Sequence, residues 1–171
     1  MLIDETIINF DVYEDAVEYL GMASVRMPEI TNAVNNVSGA GISGTIESVV
    51  LGHIDAMTMT MNFRTLTPAS VRLAEPRQHN LDLRVAQQNQ DSTSGQIVVS
   101  SIKYVVIATP KKLNPGNIAP ASAADASGEY AVAYLAAYID GVKVLEVDPR
   151  NYIYFVNGRD YLVDVRKALG K

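Results

Sequence analysis

The chain of 171 residues contains no cysteine and no tryptophan. Without cysteine there is no disulfide, no thiolate nucleophile and no cysteine-ligated zinc. Stability must come from an apolar core, which a chain of this length can bury unaided. Basic charge is scarce and arrives late. Asp4, Glu5, Asp11, Glu14, Asp15 and Glu18 all precede the first basic side chain, Arg26, and the first lysine is Lys103. With a net charge of -5, the chain lacks the basic footprint that grips phosphate backbones. Nucleic acid, if it meets this protein, is passed rather than held. Long hydrophobic runs are missing too, so no helical membrane span is expected. The opening "MLIDETIINF" carries acid where a cleaved export signal carries base, and signal-directed export is not expected.

Catalytic constellations are equally thin. The two histidines, His53 and His79, have only Asp55 or Asp82 to complete a metal site and no helical His-x-x-x-His spacing, so they read as turn or interface residues. No Gly-x-Ser-x-Gly elbow presents a serine. Glu14 and Asp15 fall in an expected turn and read as a solvated acidic face. Lys111 and Lys112 are too few for a nucleic-acid patch. No enzyme activity, cofactor or metal is expected.

One motif stands against this. "SGAGISG" contains Gly-x-Gly-x-x-Gly at Gly39, Gly41 and Gly44, the glycine spacing of dinucleotide-binding turns. That chemistry needs a buried strand before the glycines, a helix directly after them, and an acid about twenty residues on to hold the ribose. Here "TNAVNNV" precedes, strand-like sequence follows, and Asn62, Phe63 and Arg64 stand where the acid belongs. The dinucleotide reading fails on all three counts. Residues 31–41 read instead as an extended loop whose glycines tolerate positive φ.

What is present is alternation. Met57, Met59, Met61 and Phe63 interleave with Thr58, Thr60, Asn62 and Arg64, a period of two that gives one apolar and one polar strand face. Ile42 to Val50 reads as the partner strand, with Gly52 and His53 near the turn. Residues 7–30 read as a hairpin turning near Glu14 and Asp15; the competing pattern is an amphipathic helix over Tyr13 to Leu20. Thr67 or Ser70 can cap a short helix, with Pro68 in its first turn and Pro76 ending it. Two further strands follow, through "HNLDLRVAQQNQD" and "QIVVSSIKYVVIATP". Residues 110–128 read as a surface loop. Asp140-Gly141 between apolar runs predicts a hairpin, which outweighs the helix-like spacing of Tyr130, Tyr134 and Tyr138. "NYIYFVNG" reads as one more strand, and a short helix ends at Gly170. The expectation is a single mainly β domain over 1–171, a sandwich or barrel with one or two short helices.

Taken in order, "INFDVYEDAVEYLGMASVRMPEI", "VSGAGISGTIESVVLGHIDAMTMTMNFRTLT", "LDLRVAQQ", "YVVIATPKKLNPGNIAPASAADASGEYAV" and "YIDGVKVLEVDPRNYIYFVNGRDYLVDVRKALGK" resemble the major tail tube proteins of contractile-tailed bacteriophages. The resemblance covers nearly the whole chain, and the ordered set carries it rather than any one motif. It implies hexameric rings, four strands of each subunit joining into a continuous inner β-barrel, stacked as a hollow tube inside a contractile sheath. It implies as partners further copies of the chain, the sheath protein, and the baseplate or initiator and tape-measure proteins. DNA would cross the lumen without specific binding, in a virion tail assembled in the host cytoplasm. R-type bacteriocins and contractile injection systems use the same design. Under this resemblance Thr58, Thr60, Asn62, Asp82 and Gln88 are expected to face the lumen, with Arg64 and Arg84 on the same parity. Val34, Val37, Gly39 and Gly41 are expected in a loop that reaches the next ring. The competing class is a lipocalin-type barrel with Met57, Met59 and Met61 lining a ligand cavity.

Overall fold

The structure, a computed structural model, describes residues 1–18 and 22–171. Its core is built by the alternation around the methionines. Strand β6 (Met57–Phe63) turns Met57, Met59, Met61 and Phe63 inward, none more than 3% exposed. Strands β7 (His79–Asp91), β8 (Ile97–Asn114) and β9 (Ala126–Ile139) form an antiparallel meander. They add Leu81, Leu83, Val106, Ala108, Tyr130, Val132 and Leu135 to the same cluster. β1 (Leu2–Glu14) pairs with β7 and contributes Val12. The turn at Asp140-Gly141 leads into β10 (Val142–Asp148), then β11 (Ile153–Val156) and β12 (Arg159–Asp160).

These strands belong to one ten-stranded sheet with the path β12-β11-β10-β9-β8-β7-β1-β2, where β2 is Val17–Glu18. β9 is shared on one edge: β6 pairs along 126–132 and β10 along 135–139. β3 (Met22–Arg26) extends the β6 branch. The branch curls over the main path, so that Ser24, Val25 and Met27 line a cavity of about 310 Å³ together with Phe10, Leu83, Val85 and Tyr104. The result is sandwich-like and open, since β3 and β1 are not paired among the described residues.

The two helices sit where capping chemistry puts them. In α1 (Pro68–Arg72), Thr67 Oγ1 accepts from the Ser70 amide at 3.2 Å and Ser70 Oγ accepts from the Thr67 amide at 2.9 Å, a reciprocal cap. α2 (Val163–Ala168) is held to the β11–β12 turn by an Arg166–Asp160 ion pair of 2.7 Å.

Four expectations are corrected. Ile42 to Val50 does not partner the methionine strand, because β3 and β9 occupy both edges of β6. That segment forms β5 (Ile46–Ile54), which pairs instead with β4 (Asn32–Val37). Residues 31–41 are therefore not a loop throughout. Backbone pairing alone orders β4, and Gly39, Gly41 and Gly44, all at positive φ, shape the hairpin tip. The 110–128 loop is shorter than expected, because the β8–β9 ladder continues to Asn114 and Ser127. The remaining turn is tied down: Asn117 N donates to Ala124 O, and the Ala124 and Asp125 amides both donate to Arg64 O. Finally, Glu14 is not solvated. It shares the inward parity of Phe10 and Val12 and is 1% exposed. The chain does turn at Asp15 and Ala16; the connection through 19–21 lies outside the described residues.

Candidate assembly surfaces

Two parts of the molecule carry apolar side chains with nothing over them. The first is an apron, where β1 before Phe10, β7 after Val85 and β8 before Ile102 run on beyond the core as a three-stranded extension. Ile7 is 60% exposed and Val99 61%, and Leu2, Ile3, Ile8, Ile97 and Val98 are exposed with them. Consecutive strand residues point to opposite faces, so Val98 and Val99 on β8 and Ile7 and Ile8 on β1 put apolar side chains on both faces, flanking a middle strand of amides, Gln87 to Gln90. Its edges are open too. β1 gains a partner opposite β7 only at Tyr13, and β8 meets β9 only from Ile102. An open apolar edge invites another strand.

The second is an arm, the β4–β5 hairpin, which exposes Val34, Val37, Ile46, Val49, Val50 and Leu51. At its neck Asn32 pairs with Ile54 but Val34 already pairs with Val49, so residues 50–53 bulge opposite Ala33. Gly52 sits in the bulge at φ 64 with the Leu162 side chain against it; a Cβ there would lie 2.3 Å from Leu162 Cδ2. The arm thus meets the body closely at Gly52 and through Ile54, which packs on the core, and the Asp55 amide bonds Thr31 O beside it at 2.9 Å.

The expected lumen residues fall into two groups that the fold does not bring together. Thr58, Thr60 and Asn62 lie on the outward side of β6. Lys111 Nζ donates to Thr58 Oγ1 at 3.4 Å, and Asn62 Nδ2 to Ser24 Oγ at 2.9 Å. Asp82 and Gln88 lie on β7, two strands away across β9 and β8. Asp82 Oδ2 is shared by Arg84 at 3.2 Å and Lys103 at 3.6 Å, while its buried Oδ1 has no hydrogen bond among the described residues. Gln88 donates to Glu5 at 2.6 Å. Of the expected arm residues, Val34 and Val37 are on β4 and Gly39 and Gly41 at its tip.

Two buried polar clusters tie elements of the sheet together. His79, fully buried, has Nδ1 2.7 Å from Glu14 Oε1, and its Nε2 donates to Glu75 O at 3.1 Å; Arg77 Nη1 reaches the same Glu14 oxygen at 2.9 Å. The trio fastens β1 to the segment after α1. On the other side of the sheet Tyr134 and Lys143 both donate to Glu146 Oε2. Burial pushes the Glu146 carboxyl up, and these two donors more than offset it, holding the group below its ordinary range. Burial alone pushes the Tyr130 phenol up to about 12. No group of three or more His, Cys, Asp or Glu placed to hold a metal occurs among the described residues.

The apron was missed by sequence reasoning that looked for one apolar parity per strand. Its signal was the pairs that break parity, "II" at 7–8 and "IVV" at 97–99, because a strand covered on both faces reads as a continuous apolar run.

Comparison with known proteins bears on what would cover these surfaces. Residues 4–170 match the sequence model of a family described as phage tail tube protein FII. The tail tube protein of Escherichia phage P2 is 24% identical over 163 residues, covering 94% of each chain. Among solved structures, a chain of the extended-state sheath/tube terminator of an extracellular contractile injection system superposes with a TM-score of 0.53 at 10% identity, covering 78% of this chain and 96% of that one. At that identity the likeness is one of fold.

Proposed function

The chain belongs to the phage tail tube protein FII family and is a structural subunit of a tail tube, and from that premise we propose that six copies close a ring and that rings stack into the conduit for DNA ejection inside a contractile sheath. The apron supports this reading. A free subunit that leaves apolar side chains on two faces and two open strand edges in water is a poor monomer, whereas a ring supplies neighbouring strands on both sides and joins them into an inner barrel. The arm then reaches the adjacent ring. Val34 and Val37 provide its apolar contact, and the glycines at 39 and 41 let its tip approach another backbone closely.

The lumen wall is drawn from the outward faces of β6, with Thr58, Thr60 and Asn62, and of β7, with Asp82 and Gln88. Both are uncharged or acidic at those positions and suit the sliding of a polyanion. A ligand-binding barrel is not favoured: the methionine face is packed solid, with Met59 and Met61 at 0% exposure, and the apolar cleft described above is lined by other residues and open to solvent at Ile7.

Size-exclusion chromatography with negative-stain microscopy tests the reading. Wild-type protein is expected as rings or tubes. Val99→Asp is expected as a folded monomer, and replacement of the tip 38–45 by Asn-Gly as rings that do not stack. A wild-type chain that stays monomeric at high concentration, even with baseplate initiator present, would overturn it.

A further inference from the structure

The two ends of the strand path carry opposite charge. At one end lies β1, whose free edge runs from Leu2 to Val12. Asp4, Glu5, Asp11 and Asp15 belong to this end and are exposed; Arg84 of β7 stands opposite Asp11 but is engaged by Asp82. At the other end lie β11, β12 and α2. Arg150, Arg159, Arg166, Lys167 and Lys171 stand there against Asp160, Asp164 and the buried Asp148. Arg166 is consumed by Asp160. Arg150 and Arg159 are exposed, Lys167 has only an exposed 3.9 Å contact with Asp164, and Lys171 lies over the Tyr152 ring at 4.2 Å.

Each end also interleaves apolar side chains with its charges: Leu2, Ile3 and Ile7 at the acidic end, and Tyr161, Val163 and Leu169 at the basic end, all more than a third exposed. A surface of that composition suits a partner whose charge is opposite and whose apolar residues are similarly spaced. The chain carries both halves of such a pair, on opposite flanks of one sheet. Two different patches that complement each other make a head-to-tail contact, which closes into a ring when the rotation permits.

We propose that the acidic β1 end of one copy docks on the basic β11–β12–α2 end of the next, with charge setting which flank meets which. The proposal rests on the ring reading above and specifies the subunit contact within it. Complementary charge acts mainly on orientation and encounter rate and is weakened by salt, while the apolar residues supply the adhesion.

Two charge-reversed proteins test it. One carries Asp4→Lys, Glu5→Lys and Asp11→Lys, the other Arg159→Glu, Lys167→Glu and Lys171→Glu. All six side chains are exposed, so far-ultraviolet circular dichroism and unfolding midpoints should match wild type. Alone, each variant sets like charge against like charge at every contact and is expected to stay monomeric by sedimentation. Mixed in equal amounts, they should assemble into alternating rings, since each contact again pairs opposite signs. Wild-type association should weaken about tenfold between low and high salt. Assembly of either variant alone would overturn the charge proposal and leave the ring reading standing. So would two inert variants whose mixture stays inert. Wild-type protein that never assembles would remove the ring reading and the proposal with it.

Discussion

β7 and β8 each pass through two environments, and the contrast separates folding from assembly. Between His79 and Val85 the inward residues of β7 are buried and their neighbours are not; from Ala86 on, most positions are half-buried, whichever way they point. β8 runs the same course in reverse, exposed at Ile97, Val98 and Val99 and buried at Val106 and Ala108. In the core half, one parity is buried, at Leu81 and Leu83 on β7 and at Val106 and Ala108 on β8, because that face meets the subunit's own interior. In the apron β8 exposes Ile97, Val98 and Val99 on both parities, beside a run of amides on β7, because neither face is covered by the chain itself. The same strand therefore answers to the subunit's stability at one end and to its neighbours at the other.

Substituting each half in turn sharpens the contrast. Met59→Asp places an unpaired carboxylate at a position of 0% exposure and is expected to cost more than about 4 kcal/mol, enough to abolish soluble folded protein. Val99→Asp should leave the denaturant midpoint of the subunit within about 0.5 kcal/mol of wild type and abolish rings; loss of folding there would erase the distinction between the two halves. Glu14→Ala strips His79 and Arg77 of the acceptor they share. It should cost about 3–5 kcal/mol in urea unfolding, a large effect for a position beside an exposed turn.

Smaller effects belong to the junctions. Gly52→Ala brings both a left-handed backbone and a clash with Leu162, for about 1–3 kcal/mol. Its signature is faster amide exchange in β4 and β5 with protection elsewhere unchanged. Asp160 loses some of its affinity for charge to burial, but Arg166 and the Leu162 and Tyr154 amides outweigh that and hold its pKa below the ordinary 3.8. A group with a depressed folded pKa stabilises above its unfolded value and loses that contribution as pH falls through the folded one. Asp160→Asn should then lower stability by about 1 kcal/mol at neutral pH, and the gap to wild type should close below about pH 4. Thr60→Asp, on the outward side of β6, should change folding stability by less than about 0.5 kcal/mol.

Much of the body was legible because local chemistry and tertiary demand agree there. The methionine alternation and the Asp140-Gly141 turn each have one structural solution, and the helix cap was narrowed to Thr67 or Ser70, of which the structure uses Thr67. Strand pairing was less legible: nothing in Ile42 to Val50 says that β6 already has two neighbours, since the choice is made by β3 and β9, which are distant in sequence. Glu14 was misread because an acid beside a turn normally faces water. His79, sixty-five residues away, and Arg77 give it a reason to be inside. The arm and apron were hardest, because nothing within the chain covers their apolar residues.

The shared edge of β9 also orders events in time. Its second half can zip to β10 across a two-residue turn, and its other edge to β8 across a short tied loop, so these contacts form early and close to home. Its first half must wait for β6, which arrives from the far side of α1, β7 and β8. Folding that depends on such distant pairing is slow. Until β6 lands, Tyr130, Val132 and the inner faces of β7 and β8 stay uncovered beside an apron that is already sticky. The hazardous interval for this protein is therefore the one before the methionine strand docks. A substitution that slows that docking should lower the yield of tubes in the host even if it leaves the finished subunit unchanged.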